Sequence, residues 1–259
     1  MSRVALVTGA ARGIGAATVA GLDAAGWSVV AVDRAEDDPR LPYAMGTAAE
    51  LDAVVHAAAR AVAVRGDATD PDVLARAVAV AEDRFGGLDA VIVVAGVIAG
   101  GVPLWEVPQE QEDAVMSVNL GGPLAAARVC VPALLRRPTP RSGRFLVVAS
   151  AAATRGLPML AAYCAAKAGV TGLIRGLAAE LRGTGITANA VSPGSTATAI
   201  LDESARLYDL ESAEAFSAQQ PLDRLLRPEE VAAALVWLAG PDGAALTGAT
   251  VPVDGGLAL

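Results

Sequence analysis

The chain has 259 residues, of which 54% are hydrophobic, 19% charged and 3% aromatic, and its 20 basic and 28 acidic side chains give a net charge of −8. This apolar content excludes a disordered chain, and the acidic balance argues against nucleic-acid binding, because polyanions need a basic surface. The weakly polar run over residues 90–105 is broken by glycines and is too short to cross a bilayer, so no membrane span is predicted. The N-terminus lacks the residue order of a secretory signal, and we expect a cytoplasmic protein.

Rare residue types limit the possible chemistry. The chain has one lysine, Lys167, one histidine, His56, and two cysteines, Cys130 and Cys164. A zinc site built from Cys and His ligands needs more of both, so no metal site is predicted. His56 lies in a helical pattern with no Ser or Cys nucleophile beside it, which indicates a structural histidine and argues against a Ser-His-Asp hydrolase.

Short apolar runs alternate with longer amphipathic runs along the whole chain. The runs VALVT, SVVAVD, AVAVRGD, LDAVIVVAG, RFLVVAS and TANAVS are typical of strands buried on both faces of a parallel sheet. Helical spacing occurs between them, over residues 14–25, 70–85, 109–135, 161–181 and 228–238. The alternation predicts an α/β fold: a doubly wound parallel sheet (Rossmann fold) with helices on both faces, in a single domain over residues 1–259.

A glycine-rich turn, TGAARGIG, joins the first predicted strand to a helix. Gly9, Gly13 and Gly15 let the backbone approach a pyrophosphate, whose charge the helix N-terminus would bind, although the spacing also fits a merely tight turn. The second strand ends at Asp33, where a carboxylate accepts hydrogen bonds from ribose hydroxyls and repels a 2′-phosphate. This favours NAD over NADP, although the guanidinium of Arg34 would favour NADP if it turned toward that phosphate.

Tyr163 and Lys167 are four residues apart in a predicted helix, so their side chains share one face. A nearby ammonium stabilises a phenolate, and we expect it to lower the pKa of Tyr163 toward the range useful for acid–base catalysis. Ser150 closes a predicted strand at its carboxyl end, where its hydroxyl would hold a substrate oxygen against Tyr163. The alternative is a surface Tyr–Lys pair on an ordinary helix, and the combination with Ser150 and the glycine turn argues against it.

Together these motifs resemble the short-chain dehydrogenase/reductase (SDR) family over almost the entire chain. The resemblance implies an NAD-dependent oxidoreductase that interconverts a secondary alcohol and its ketone. It assigns Tyr163 as general acid–base, Lys167 as pKa depressor and ribose ligand, Ser150 as substrate holder and Asn119 as part of a water relay. The implied cofactor contacts are Gly9, Arg12, Gly13, Ile14, Gly15, Asp33, Arg34, Asp67, Ala68, Ala95, Gly96, Tyr163, Lys167, Pro193, Gly194, Ser195, Thr196 and Thr198.

One departure from the family pattern follows the fourth predicted strand. The family usually has Asn-Asn-Ala-Gly there, whereas this chain has Val93-Val94-Ala95-Gly96. In the family those asparagines mainly brace the central sheet. Their loss puts the local hydrogen bonding in doubt more than the chemistry.

A second departure is an insertion at about residues 34–50, in which Pro39, Pro42 and Tyr43 indicate an ordered loop beside the adenosine half of the cofactor. This segment and several later ones resemble the mycofactocin-coupled SDR subgroup. That resemblance implies a tightly held NAD, reoxidised in place by the redox peptide mycofactocin as external electron acceptor. The alternative is an insertion that is only a neutral surface elaboration.

Several further features have structural alternatives. Trp105, Met159 and Tyr208 either line a substrate pocket or only pack, and Cys130 and Cys164 are expected to be packing residues. The terminal VDGGLAL resembles the tetramer-forming end of the family, which implies a homotetramer. The family resemblance also implies a small-molecule alcohol or ketone as substrate. Two rival functions remain: a conventional carbonyl or 3-oxoacyl reductase that exchanges free NAD(H) or NADP(H), and a non-catalytic nucleotide sensor.

Overall fold

In the computed structural model, which describes residues 2–259, seven strands form one sheet. Their spatial order is β3-β2-β1-β4-β5-β6-β7, and every neighbouring pair is parallel. The chain builds outward from β1 to β3, returns to pair β4 with β1, and then builds outward on the other side. This confirms the doubly wound parallel sheet. The strands are β1 (Val4–Thr8), β2 (Ser28–Asp33), β3 (Ala61–Arg65), β4 (Ala90–Val93), β5 (Arg144–Val148), β6 (Thr187–Pro193) and β7 (Thr250–Val253).

Helices cover both faces of the sheet. They are α1 (Gly13–Ala24), α2 (Ala48–Ala57), α3 (Pro71–Phe85), α4 (Gln109–Met116), α5 (Gly122–Leu135), α6 (Ala161–Glu180), α7 (Ala199–Leu207) and α8 (Pro228–Ala239). Alternate residues of β1 enter two separate apolar clusters: Val4 and Leu6 pack with residues of α3, α5 and α6, while Ala5 and Val7 pack with residues of α1 and α8. The inner strands are continuously apolar because helices cover both of their faces, whereas the edge strands β3 and β7 are only partly buried.

Local sequence signals set several helix ends. Thr47 caps α2 by accepting from the backbone N–H of Glu50, whose carboxylate accepts from the backbone N–H of Thr47. This reciprocal pairing satisfies two of the N–H groups that a helix start leaves free. Asp70 caps α3 and Pro71 opens it, while Gly86 ends it in the left-handed conformation at φ 83°.

A π turn at Ser117–Gly121 interrupts the predicted helix over residues 109–135 and separates α4 from α5. By length and a mean hydropathy of 1.4, the combined run Gln109–Leu135 has the composition of a membrane span. Core helices of globular proteins share this composition, and half of the apolar window is buried inside the fold. Ala126, Cys130 and Leu134 are fully buried against the sheet, so this run packs as a core helix.

Candidate active site

A cleft of about 970 Å³ opens at the carboxyl ends of the strands, between β1 and β4. At this point the strand order reverses, because β2 and β3 follow β1 on one side and β4 to β7 lie on the other. Open α/β sheets bind ligands at this kind of switch point. Every residue predicted above for the catalytic and cofactor sites lines the cleft. His56 does not: it is exposed on α2 and its Nδ1 lies 2.7 Å from the backbone oxygen of Asp52. Within residues 2–259, no group of three or more His, Cys, Asp or Glu side chains is arranged to hold a metal.

The glycine turn forms a cradle at one end of the cleft. A Cβ on Gly9 would lie 2.7 Å from the backbone N and Cα of Ala95, and a Cβ on Gly15 would overlap the Gly9 carbonyl. Gly9 and Gly13 also have positive φ values of 68° and 56°. Arg12 precedes α1 without a side-chain capping bond, so the first N–H groups of the helix are left to the cleft. These features fit a pyrophosphate, which needs close backbone approach and helix N–H donors.

Asp33 stands at the end of β2 beside this cradle. Its carboxylate accepts from the backbone N–H groups of Ala11, at 2.9 Å, and Ala35, at 3.0 Å. Arg34 turns away to Asp38, with its Nη1 2.8 Å from a carboxylate oxygen of that residue. Asp38 is only 3% exposed, so this ion pair is held inside the insertion. Both Asp33 and Arg34 line the cleft, and the guanidinium of Arg34 is held by Asp38.

The insertion is hydrogen-bonded to two other parts of the site. Between β2 and α2 it runs from residue 34 to the cap of α2 at residue 47. Arg40 donates to Asp38 at 2.7 and 2.9 Å and to the hydroxyl of Ser117 in the π turn at 3.2 Å. Arg12 in the glycine turn donates to the backbone oxygen of Ala44 at 2.9 Å. These contacts hold the loop between the glycine turn and the π turn.

The loop after β3 supplies the next predicted residues. Asp67 accepts from the backbone N–H of Thr69 at 2.8 Å, and its other carboxylate oxygen lies 3.7 Å from Arg34. Ala68 is buried beside it and lines the cleft. Arg34 is therefore paired with acidic side chains from two sides.

Lys167 is 4% exposed and donates its Nζ to the backbone oxygen of Val148 at 2.9 Å. Its Nζ lies 5.7 Å from the centroid of the Tyr163 ring. Burial lowers the pKa of Lys167 to about 8. Burial also raises the pKa of Tyr163, and the hydrogen bond with Ser150 acts against that increase.

The expectation that Lys167 lowers the pKa of Tyr163 is therefore wrong for the protein alone. The ammonium is anchored to a backbone oxygen of β5, and it faces the aromatic ring of Tyr163 at 5.7 Å. Removal from water disfavours charge on both groups. The group that favours the phenolate here is the hydroxyl of Ser150.

Ser150 follows β5 and caps a short 3₁₀ turn at Ala151–Ala153. Its Oγ accepts from the backbone N–H of Ala152 at 3.1 Å, so the hydroxyl hydrogen is left to donate. Together with Tyr163 it forms a pair of hydroxyls in the cleft. Such a pair can hold one substrate oxygen from two directions.

Asn119 lies in the π turn, and its side-chain amide holds the loop after β4. Nδ2 donates to the backbone oxygens of Val97, at 2.8 Å, and Val115, at 3.0 Å, while Oδ1 accepts from the N–H of Val97 at 3.2 Å. Both amide hydrogens are therefore used inside the protein.

Thr8 supplies the bracing that the missing asparagines left in doubt. Its Oγ1 lies at the end of β1 and accepts from the backbone N–H groups of Val94, at 3.2 Å, and Ala95, at 3.3 Å. With Asn119 on Val97, the loop after β4 is held from both sides. Ala95 and Gly96 stay against the cleft.

Gln220 is a site residue that the sequence did not indicate. Its side chain is 2% exposed; its Oε1 accepts from the N–H of Ser195 at 2.8 Å and its Nε2 donates to the oxygen of Arg224 at 2.7 Å. It thereby fixes the loop that carries Pro193, Gly194, Ser195, Thr196 and Thr198. A Cβ on Gly194 would collide with the same amide group, so only glycine fits there.

The far end of the cleft is apolar. Tyr208 lines it, donates its hydroxyl to the backbone oxygen of Pro158 at 2.7 Å and packs edge-to-face with Phe216 at 6.1 Å. Of the other two candidates for the substrate pocket, neither lines the cleft: Trp105 is 84% exposed on a surface turn and Met159 lies outside the cleft wall. The apolar wall also includes Ile98, Leu157, Leu160, Ile200, Leu201 and Leu210.

Fold and cleft together define a nucleotide-binding oxidoreductase, and comparison with known proteins specifies the family. Residues 9–258 match the family model described as Enoyl-(Acyl carrier protein) reductase. The chain is 39% identical to the short-chain reductase protein NovJ of Streptomyces niveus, over 98% of this chain and 93% of that protein. It is 35% identical to a 3-oxoacyl-[acyl-carrier-protein] reductase of Synechocystis, over 100% of this chain and 98% of that protein.

Among solved structures, carveol dehydrogenase from Mycobacterium avium in complex with NAD superposes with a TM-score of 0.92. The two chains share 28% sequence identity, and the match covers 98% of this chain and 97% of that one. The chain belongs to the short-chain dehydrogenase/reductase family. It is an oxidoreductase that acts on CH–OH groups.

Proposed function

We propose that the protein interconverts a secondary alcohol and its ketone with NAD as the hydride carrier. The observation that carries this proposal is the position of Ser150, Tyr163 and Lys167 around one cleft that also contains the glycine cradle and Asp33. Relatives that include a dehydrogenase with bound NAD support the same chemistry. The ion pair of Arg34 with Asp38 supports NAD over NADP, because it turns the guanidinium away from a 2′-phosphate.

The glycine cradle and the start of α1 would hold the pyrophosphate, Asp33 the adenosine ribose, and Lys167 the second ribose. When bound, NAD supplies the carbon that takes the hydride from the alcohol in oxidation. Tyr163 takes the hydroxyl proton onto its phenolate oxygen, and Ser150 donates to the substrate oxygen and fixes its position. In ketone reduction Tyr163 returns that proton to the carbonyl oxygen.

We further propose that NAD is held tightly under the insertion and is reoxidised in place by mycofactocin. The support is that the insertion is anchored to the glycine turn by Arg12 and to the π turn by Arg40, contacts that would hold it in place beside a bound cofactor. A conventional SDR that exchanges free cofactor, such as a carbonyl or 3-oxoacyl reductase, is the alternative, and the relative from Synechocystis supports it. A non-catalytic nucleotide sensor is disfavoured by the intact Ser150, Tyr163 and Lys167.

The assembly that we propose is a cytoplasmic homotetramer in a single-domain fold, acting on a small-molecule substrate, without nucleic-acid or membrane partners. The support for an assembly is that α5 and α8 carry large apolar side chains that are exposed in the monomer: Leu124 and Leu135 on α5, Trp237 on α8. Light scattering on the purified protein tests it. A monomer at micromolar concentration would contradict it.

The test of the proposed function starts from protein purified without added cofactor. Released NAD(H) is measured after denaturation, and turnover is measured on a panel of secondary alcohols with free NAD and, separately, with an artificial dye acceptor. Near-stoichiometric bound NAD with turnover only on the dye supports the mycofactocin-coupled form. Rapid cycling of free NAD by an empty protein supports the conventional form. Absence of alcohol oxidation and ketone reduction under all conditions would contradict the proposed function.

A further inference from the structure

The insertion places a partly buried tyrosine, Tyr43, at the apolar side of the cleft. The hydroxyl oxygen of Tyr43 accepts a hydrogen bond from the backbone N–H of Ile98 at 2.9 Å. These residues are 55 positions apart, in the insertion and in the loop after β4. Ile98 is 3% exposed and belongs to the apolar wall of the cleft. The hydrogen bond therefore joins the insertion directly to the part of the cleft that would contact substrate.

The Tyr43 ring packs in the same apolar cluster as Tyr163. Both tyrosines contact a group of buried residues from the insertion, the loop after β4, α4 and α6: Leu41, Val97, Ala99, Ala114, Val115 and Ala166. Burial raises the pKa of Tyr43, so its hydroxyl stays neutral and keeps its hydrogen at neutral pH. With Ile98 donating to its oxygen, Tyr43 is fixed at both its ring and its hydroxyl.

The residues that follow Tyr43 contact the cofactor side. Arg12 donates to the backbone oxygen of Ala44, and a Cβ on Gly46 would lie 2.9 Å from the Cβ of Ala11 and 3.5 Å from the carboxylate of Asp33. Residues 43–46 thus span from the substrate wall to the ribose and pyrophosphate cradle. A single short segment bridges the two halves of the cleft.

We propose that Tyr43 is a positioning residue for the reaction. Through its hydrogen bond with Ile98 it fixes the position of the apolar cleft wall relative to Tyr163. This rests on the proposed alcohol oxidation, and it assigns the insertion a role beyond covering the cofactor. Without the hydroxyl, the N–H of Ile98, a residue that is 3% exposed, loses its acceptor. The loop after β4 then loosens, and substrate is held less accurately against Tyr163.

Tyr43→Phe tests this because it keeps the ring and removes only the acceptor. We expect kcat to fall about ten-fold with KM changed less than about two-fold, since misplacement of bound substrate slows the chemical step. The NAD content of the purified protein stays at the wild-type level. The backbone amide of Ile98, measured by hydrogen exchange, is protected in the wild type and exchanges faster in the variant. Tyr43→Ala, which also removes the ring, is expected to lose NAD as well.

Thr171→Val is the matched control. It removes a buried hydroxyl from α6, where Thr171 donates only to the backbone oxygen of Ala168, outside the cleft. Its kcat and amide exchange at Ile98 stay at wild-type values. A kcat for Tyr43→Phe equal to the wild type, an equal fall in Thr171→Val, or unprotected Ile98 in the wild type overturns the proposal. If the wild type oxidises no alcohol, the proposed function fails, while hydrogen exchange still decides whether Tyr43 holds this loop.

Discussion

The Nζ of Lys167 lies 5.7 Å from the ring centroid of Tyr163, on the same face of α6, and it donates to the backbone oxygen of Val148 at 2.9 Å. Lys167 is buried and Tyr163 is partly buried at the cleft, and burial opposes charge on each. The pKa of Tyr163 is raised and the pKa of Lys167 is lowered to about 8. The phenolate needed for alcohol oxidation is consequently scarce at neutral pH.

This relationship predicts opposite pH dependence for the two directions of the reaction. Oxidation needs the phenolate of Tyr163, so its kcat/KM should rise with pH toward the raised pKa. Ketone reduction needs the protonated phenol, so its kcat/KM should be highest at neutral pH and fall in the alkaline range. Rate profiles measured in both directions between about pH 6 and 10 check this. Parallel profiles for the two directions would contradict it.

Lys167 should also make stability depend on pH. Its pKa is about 8 in the folded protein, against an ordinary lysine pKa of 10.5 in the unfolded chain. Between these values the unfolded chain binds one proton more, so the free energy of unfolding rises with pH through this window and is lowest below about pH 8. Lys167→Met removes the titration. Denaturant unfolding of both proteins across the window should show a slope in the wild type that the variant lacks; equal slopes would contradict the assignment.

Cofactor choice should respond to Asp38, because Asp38 lines the cleft and pairs with Arg34. Asp38→Asn removes the charge that holds Arg34 and Arg40, and this charge pairing also lowers the pKa of Asp38 to about 2. The freed guanidinium of Arg34 can then approach a 2′-phosphate. We expect the ratio of NADP to NAD binding to rise about ten-fold, measured by fluorescence titration. An unchanged ratio would mean that Asp33 alone controls the choice.

Gln220 does not line the cleft, but it should affect cofactor binding through the loop after β6 that it holds. Gln220→Met keeps the volume but leaves the N–H of Ser195 without its acceptor, which costs about 1–3 kcal/mol at a buried site. The loop after β6 should become mobile, with a weaker NAD affinity and a lower Tm. Calorimetric titration and thermal unfolding test both effects. Wild-type affinity and Tm would show that the loop is held by its other contacts.

The sequence was informative wherever a function depends on local spacing. The glycine turn, the pair Tyr163 and Lys167, and the strands of the buried sheet all follow from short periodic patterns, and the cleft brings the predicted residues together. Asp33 and Ser150 could be predicted as well, because each stands at the carboxyl end of an apolar run.

Other features depend on contacts between distant segments, which no local pattern reveals. Gln220 reaches Ser195 across 25 residues and follows a 3₁₀ segment without regular spacing. The short edge strand β7 was not predicted, because its four residues include Pro252 and are only partly buried. The direction of a side chain in a loop is equally unreadable, so Trp105 was a candidate for the pocket although it points to solvent. The pKa of Tyr163 depends on burial in the folded cleft, which the spacing to Lys167 does not show.

The most direct test of the central claim is the turnover of Tyr163→Phe on a secondary alcohol oxidised by the wild type, with bound NAD measured in the same preparations. The substitution keeps the ring in its apolar cluster and removes only the oxygen that exchanges the proton. We expect wild-type NAD content and a kcat lower by about 10²–10⁴-fold. A Tyr163→Phe enzyme with wild-type kcat would contradict it, because the proton would then leave the substrate by another route.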